Sequence, residues 1–275
     1  MGKKNIPETG IYDARELGAG KMLLLGFQHM FAMFGATVLV PILTGLDVSN
    51  TLLFAGLGTL LFHLITGGKI PAFLGSSFAF LGGYATIAPM LGEKQNIPNL
   101  EMLPYACFGV ACAGLVYVIL AGLFKAFGAK KVMRFFPPIV TGPIIIAIGL
   151  NLSSSAINNC AQNWWIAIAA ILIIVAANIW GKGMIKIIPI LLGVIGSYLL
   201  AVIFDADTRA NLVANVSAAK WFALPIKMEQ TVFGLFASGS VDGHKLLTAA
   251  ITIVPLSLAT MVEHIGDVSA ISSTC

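Results

Sequence analysis

Long apolar runs separated by short polar breaks dominate the chain, at about 21–44, 51–66, 70–91, 104–124, 136–152, 164–180, 184–204 and 246–272. Most approach the roughly 20 residues that a helix needs to cross the hydrocarbon core of a bilayer, so the pattern predicts eight membrane segments. One connection, 205–245, is long, mixes both charge signs and carries Trp221 and Phe222. It is expected to be a solvent-side loop that touches the membrane interface.

Composition removes the soluble alternative. Of 275 residues, 58% are hydrophobic and only 10% charged, with a mean hydropathy of +0.92. Soluble domains carry roughly 25% charged residues, so the missing solvent is lipid. Transporter, channel and membrane enzyme remain open. The formal charge of +4 does not point to nucleic acid, because the basic residues are scattered singly and form no stripe. Cys107, Cys112, Cys160 and Cys275 show no CxxC spacing, so neither a zinc site nor a disulfide framework follows. The polar start, Met1 to Gly20, leads into an apolar run too long for the core of a signal peptide and without a convincing cleavage site, so that run is kept as a segment.

Basic residues also set the orientation. One set of breaks holds Lys3, Lys4, Arg15 and Lys21, then Lys69, then Lys125, Lys130, Lys131 and Arg134, then Lys182 and Lys186; the alternate short breaks hold only Lys94. Lysine and arginine accumulate on the cytoplasmic side, which places the amino terminus there in a multi-pass protein of the cytoplasmic membrane.

The third run departs from a simple helix. GKIPAFLGSSFAFLGG, Gly68 to Gly83, is interrupted by Pro71, Gly75, Ser76, Ser77 and the Gly82-Gly83 pair. Backbone groups cannot be left unpaired against lipid, so a broken segment has to face protein or a water-filled cavity. Such segments mark binding sites in transporters; the competing explanation is a close contact in which small residues let helices approach. Pro143 and Pro255 sit deep enough in their runs to kink them.

The last run carries the chemistry. ATMVEHIGDVSAISS, 259–273, puts Glu263, His264 and Asp267 inside a membrane-length segment. A carboxylate at a helix centre costs roughly 2.5 to 3.5 kcal/mol on insertion scales, so it usually faces a cavity and marks a pathway. A spacing of four places Glu263 and Asp267 on one face, a turn apart, with His264 rotated by about 100°. Two carboxylates so close, out of water, do not both ionise easily, which suits a carrier that takes up and releases a proton. If the helix ends early, Asp267 lies among headgroups instead. In the first run, Gln28 and His29 can donate and accept hydrogen bonds, either across the bundle or toward a cavity. Phe78, directly after Ser76 and Ser77, places an aromatic edge and a free backbone N–H where a planar amide-like ring would meet them, with a carboxylate opposite accepting from ring N–H groups.

These residues resemble the nucleobase:cation symporter-2 family, the nucleobase/ascorbate transporters, and within it the bacterial uracil permeases. QHMFAMFGATVLVP at 28–41, GKIPAFLGSSFAF at 68–80, WFALP at 221–225 and EHIGD at 263–267 occur in the family's order. The resemblance implies an all-α polytopic membrane protein of fourteen segments in two inverted repeats of seven, with a short β-strand in the broken third segment. It further implies a cytoplasmic segment at 1–20, core-domain segments one to four at 21–124, gate-domain segments five to seven at 125–204, an extracellular loop at 205–245 and core segment eight at 246–275. By the same resemblance Glu263 and Phe78 bind substrate, Glu263 and Asp267 couple the proton, and His29, Gln28 and Ser77 support them. Some uracil permeases have His where this chain has Asp267.

The expected function is proton-coupled uracil uptake, with membrane lipid as surroundings, a proton gradient in place of any cofactor, and a homodimer in the full-length protein. Xanthine or another purine is the competing substrate within that fold. Segments nine to fourteen do not follow Cys275, so the chain is expected to be the amino-terminal part of a longer permease, non-functional when taken alone. An intramembrane enzyme using Glu263 or His264 as a base is the remaining alternative; no HExxH or GxSxG pattern accompanies them.

Overall fold

The computed structural model describes residues 18–274 apart from 69, 71, 93–96, 133, 135–137, 183, 220–223, 238 and 240. Lys3, Lys4, Arg15, Lys69, Pro71, Lys94, Pro137, Trp221, Phe222 and Cys275 therefore lie outside the described residues. In chain order come α1 (Ala19–Thr44), α2 (Val48–Thr66), a 3-10 turn (Phe78–Phe80) running into α3 (Leu81–Ile87), α4 (Leu103–Phe127), α5 (Ala129–Val132) and α6 (Pro138–Gln162). They are followed by α7 (Trp164–Trp180), α8 (Met184–Ile187), α9 (Pro189–Phe204), α10 (Ala206–Ala218), a 3-10 turn (Met228–Gln230), α11 (Val232–Ala237), α12 (Gly243–Ile253), a 3-10 turn (Val254–Leu256) and α13 (Ser257–Thr274).

The helices begin and end where the polar breaks fall, for local reasons. Asp47 caps α2 by accepting from Asn50 N at 2.9 Å, and Asn163 caps α7 by accepting from Ile166 N at 3.3 Å. Gly67, at φ 62°, ends α2 in the left-handed conformation, with the Gly68 amide returning to His63 O at 2.9 Å. Pro104 starts α4, where its missing N–H costs nothing.

Three helical spans among the described residues, 48–66, 103–127 and 243–268, are long and apolar enough to cross a membrane. Two further pairs would add two more if each bent pair were one span. Their bends are sharp, 118° between 156–162 and 164–180 and 106° between 189–204 and 206–218. A reversal that steep, at a break carrying Asn163 or Asp205 as a helix cap, reads as a turn between successive segments.

One expectation needs correction, and one connection gains detail. The connection 205–245 holds α10, the 228–230 turn and α11, with Asp205 capping the start of α10. The third segment is broken as expected, but 72–77 is irregular and forms no strand. An extended segment becomes a strand only through ladder hydrogen bonds with a neighbour, and among the described residues the only bridge pairing outside named strands is Leu91 with Ile97. Pro255 does break its segment, standing in the 254–256 turn between α12 and α13.

The chain divides into two compact units. One comprises, among the described residues, 18–35 and 153–224, and its framework is α7 against α9. Gly193 and Gly196 of α9 lie against Ile174 and Ile173 of α7, so these contacts have no room for a side chain. The other comprises 36–152 and 225–274. Its core forms where α3, α4, α11 and α12 meet, with Tyr84, Ile87, Leu103, Tyr105, Ala106, Leu235, Ala249 and Ile253 buried together. A Cβ on Gly109 would stand 2.7 Å from Ala249 O, and one on Gly83 would stand 2.9 Å from Ile253 Cγ1. Small residues thus bring α4 and α3 close to the last segment, as membrane helices require when no hydrophobic force distinguishes neighbour from lipid. Large apolar side chains point outward instead, among them Leu64 at 78% and Trp165 at 83% exposure, a surface suited to hydrocarbon.

Candidate functional site

The site is built in the second unit from two discontinuous segments. The stretch 72–77 leaves its backbone without helical hydrogen bonds, and α2 supplies part of the replacement: Leu74 N donates to Thr59 Oγ1 at 3.0 Å, while that hydroxyl donates to Ala55 O at 2.8 Å. Gly75 allows the turn to pass α1, since a Cβ there would stand 2.9 Å from the Phe73 ring and 3.1 Å from Thr37 Oγ1. Ser77 then caps the 78–80 turn, accepting from Ala79 N at 3.3 Å. The Phe78 N–H, first in that turn, belongs to the amides that a helix start leaves without an internal acceptor.

Opposite stands α13, which packs against the 78–80 turn. Glu263 is half-buried, whereas His264 and Asp267 are exposed. Ser77 Oγ donates to Glu263 Oε2 at 3.4 Å, a long bond that joins residues 186 positions apart. The serine hydroxyl therefore serves both sides, its proton toward the carboxylate and a lone pair toward the turn's amide. The result is a carboxylate acceptor held at the start of the 78–80 turn, through the residue that precedes Phe78.

The sequence-based candidates separate accordingly. Ser77 and Glu263 are in contact, Phe78 follows Ser77 directly, and Asp267 lies one turn beyond Glu263 on the same helix. His29 is exposed on α1 within the other unit, and the Gln28 side chain lies outside the described residues. Two cavities adjoin the second unit's core, one of about 470 Å³ lined by Asn50, Gly75, Ser76, Tyr84, Cys107 and Gln230, and one of about 540 Å³ with Leu120, Phe127, Leu258 and Met261 in an apolar wall. Neither is lined by Glu263 or Phe78. Among the described residues no group of three or more His, Cys, Asp or Glu is placed to hold a metal ion.

Sequence reasoning passed over Tyr117 and Thr260. Tyr117, on α4, donates to Thr260 Oγ1 at 2.7 Å and lies 2.8 Å from His264 Nδ1. Its signal was a hydroxyl in the middle of an otherwise apolar run, AGLVYVILAG. Beyond the ends of the candidate spans, Lys227 Nζ meets Asp47 Oδ2 at 2.6 Å and the Asp47 amide donates to Gln230 Oε1 at 2.6 Å. The Lys227 ammonium, helped by the Asn50 amide, holds the Asp47 carboxyl below its ordinary value.

Comparison with known proteins agrees in extent with the resemblance. A family model described as a permease family, Xan_ur_permease, matches residues 20–275. The uracil permease of Bacillus caldolyticus is 37% identical over 95% of this chain and 57% of its own length. That of Bacillus subtilis (strain 168) is 38% identical over 89% and 54%. The putative pyrimidine permease RutG of Escherichia coli (strain K12) is 34% identical over 98% and 59%. The chain thus spans less than two thirds of the length of these relatives, all of which are named as permeases. With its family match running from the first membrane segment through α13, the chain belongs to the Xan_ur_permease permease family.

Proposed function

We propose that this chain supplies the nucleobase-binding half-site of a proton-coupled uracil importer. The observation that carries the reading is the meeting of Ser77 and Glu263 at 3.4 Å beside the start of the 78–80 turn. Uracil is flat and carries adjacent N–H and C=O groups. A carboxylate from α13 would accept from ring N–H, and the Phe78 amide would donate to a ring carbonyl, so each polar edge of the ring finds its complement. The naming of the relatives as uracil or pyrimidine permeases supports the substrate class. Glu263 is the group through which a proton would enter and leave, with Asp267 a turn beyond it on the same helix. In this reading the amino terminus is cytoplasmic and the longer protein works as a homodimer in the cytoplasmic membrane.

The test is uptake of labelled uracil by cells producing residues 1–275 joined to the remaining carboxy-terminal part of the Bacillus caldolyticus uracil permease. Uptake should rise as external pH falls, and Glu263→Gln should abolish it. Full uptake with unchanged pH dependence in that variant would overturn the assignment of Glu263. Stronger competition by xanthine than by unlabelled uracil would instead assign a purine substrate.

A further inference from the structure

His264 has no part in the reading above, yet it is held more firmly than Asp267. Its ring lies 5.6 Å from that of Tyr117, centre to centre, and its Nδ1 is 2.8 Å from the Tyr117 hydroxyl. The direction of the neighbouring bonds settles which atom donates. Thr260 Oγ1 gives its proton to Ser257 O at 3.0 Å, so it can only accept from Tyr117 at 2.7 Å. Tyr117 has one proton, spent on Thr260, and must accept from the imidazole. The chain of bonds runs from His264 Nδ1–H to Tyr117, to Thr260, to the Ser257 carbonyl.

We propose that Tyr117 is a positioning residue that fixes His264 as the Nδ1–H tautomer, leaving Nε2 as its proton acceptor, and that His264 rather than Asp267 exchanges the proton with the binding carboxyl. This rests on the permease reading for its purpose, not for its chemistry. In the step, the Glu263 carboxyl releases its O–H proton and Nε2 takes it; the imidazolium keeps its Nδ1–H bond to Tyr117, and the reverse transfer restores both groups. Among the described residues, the titratable and charged groups near His264 are Glu263 and Asp267 on α13 and Tyr117 from α4. Among the described residues, Cys112 and Lys125 of α4 make no hydrogen bond to it, and the 78–80 and 254–256 turns bring no ionisable side chain.

The tautomer is read directly by nitrogen NMR on the 15N-histidine-labelled chain in lipid nanodiscs, with His264 assigned through His264→Asn. At pH about 9, above the ordinary imidazole range near 6.5, the Nδ1–H form should exceed the Nε2–H form by about fivefold or more, as one net hydrogen bond dictates. Tyr117→Phe should remove that preference. Thr260→Val should reverse it, because Tyr117, deprived of its acceptor, turns its proton toward Nδ1. An Nε2–H majority in the unaltered chain, or no change in either variant, would overturn the proposal, and the unaltered chain decides even if a variant fails to fold. In the hybrid permease, His264→Asn should keep exchange of labelled for unlabelled uracil while losing pH-driven accumulation; retained accumulation would return the coupling role to Asp267. A hybrid that moves no uracil before any substitution counts against the uracil reading alone and leaves the tautomer to decide His264.

Discussion

Gly109 and Gly114 lie five residues apart on α4, and the same substitution should move stability in opposite directions at the two. At Gly109 an added Cβ meets Ala249 O at 2.7 Å, Ile253 Cδ1 at 2.8 Å and Ala249 C at 3.1 Å. Two of these are backbone atoms of α12, which cannot rotate aside, so the helices must separate. Overpacking of this kind costs about 1 to 3 kcal/mol, and the backbone contact argues for the upper half. Replacing glycine by alanine in a helix returns about 0.8 to 1 kcal/mol of propensity. The net loss for Gly109→Ala is then about 1 to 2 kcal/mol, the difference of those two ranges. At Gly114 nothing lies within 4 Å, so only the propensity gain remains. With about 2 to 4 °C in Tm for each kcal/mol at this chain length, thermal unfolding in detergent, followed by tryptophan fluorescence, should separate the variants by roughly 4 to 12 °C, Gly114→Ala unfolding last. Equal midpoints, or a higher one for Gly109→Ala, would refute the close α4 to α12 contact.

Three other outcomes follow from the site and its supports. Ser77→Ala removes both the bond to Glu263 and the cap on Ala79, and should weaken uracil affinity of the hybrid permease about five- to tenfold, as the loss of one long hydrogen bond of about 1 to 1.4 kcal/mol implies; unchanged affinity would mean that Glu263 needs no positioning by Ser77. Asp47→Asn should lower stability at neutral pH by about 0.2 to 1 kcal/mol, the range for exposed ion pairs, since the amide can still cap α2. That difference depends on pH with a definite sign: Lys227 depresses the folded Asp47 value below 3.8, so the stabilisation is present above the unfolded value and disappears as pH falls through the folded one. A gap between the two proteins that persists in acid would contradict the pairing.

Segments such as 48–66 and 103–127 were legible because an apolar run of membrane length states its own boundaries, and Asp47, Gly67 and Asn163 mark helix ends by groups that act within one turn. The break at 72–77 was legible too, from Gly75, Ser76 and Ser77. Its conformation was not. Whether an extended stretch is a strand depends on a neighbour, and the sequence of the stretch does not contain that neighbour. The helices in 205–245 were hidden for a different reason: α10 is polar and short, so no apolar run reports it, and only Asp205 as a cap hints at its start. In the candidate site, Glu263 stands out because charge in an apolar run is conspicuous. Tyr117 escaped because a tyrosine in a membrane helix is ordinary until its hydroxyl is seen to meet a histidine from a segment 147 residues away.

The two breaks in the second unit are coupled through one close contact, and this gives a last prediction that separates stability from function. The 254–256 turn, set by Pro255, sends the chain from α12 into α13, and the 78–80 turn sends it into α3. Gly83 of α3 sits between them: a Cβ there would stand 2.9 Å from Ile253 Cγ1 and 3.0 Å from Leu256 Cδ1. Both are side-chain atoms, which yield more readily than the Ala249 carbonyl facing Gly109, so Gly83→Ala should cost less in Tm than Gly109→Ala. Its effect on the site should be larger. Pushing α3 away from the 254–256 turn moves Ser77 relative to Glu263, and their bond, already 3.4 Å long, has no slack before it is lost. Uracil affinity of the hybrid permease should therefore fall by an amount close to that of Ser77→Ala, and the two substitutions combined should cost little more than either alone, since both act on one bond. Additive losses would show instead that Gly83 acts only on stability and that the spacing of the two turns does not set the position of the carboxylate.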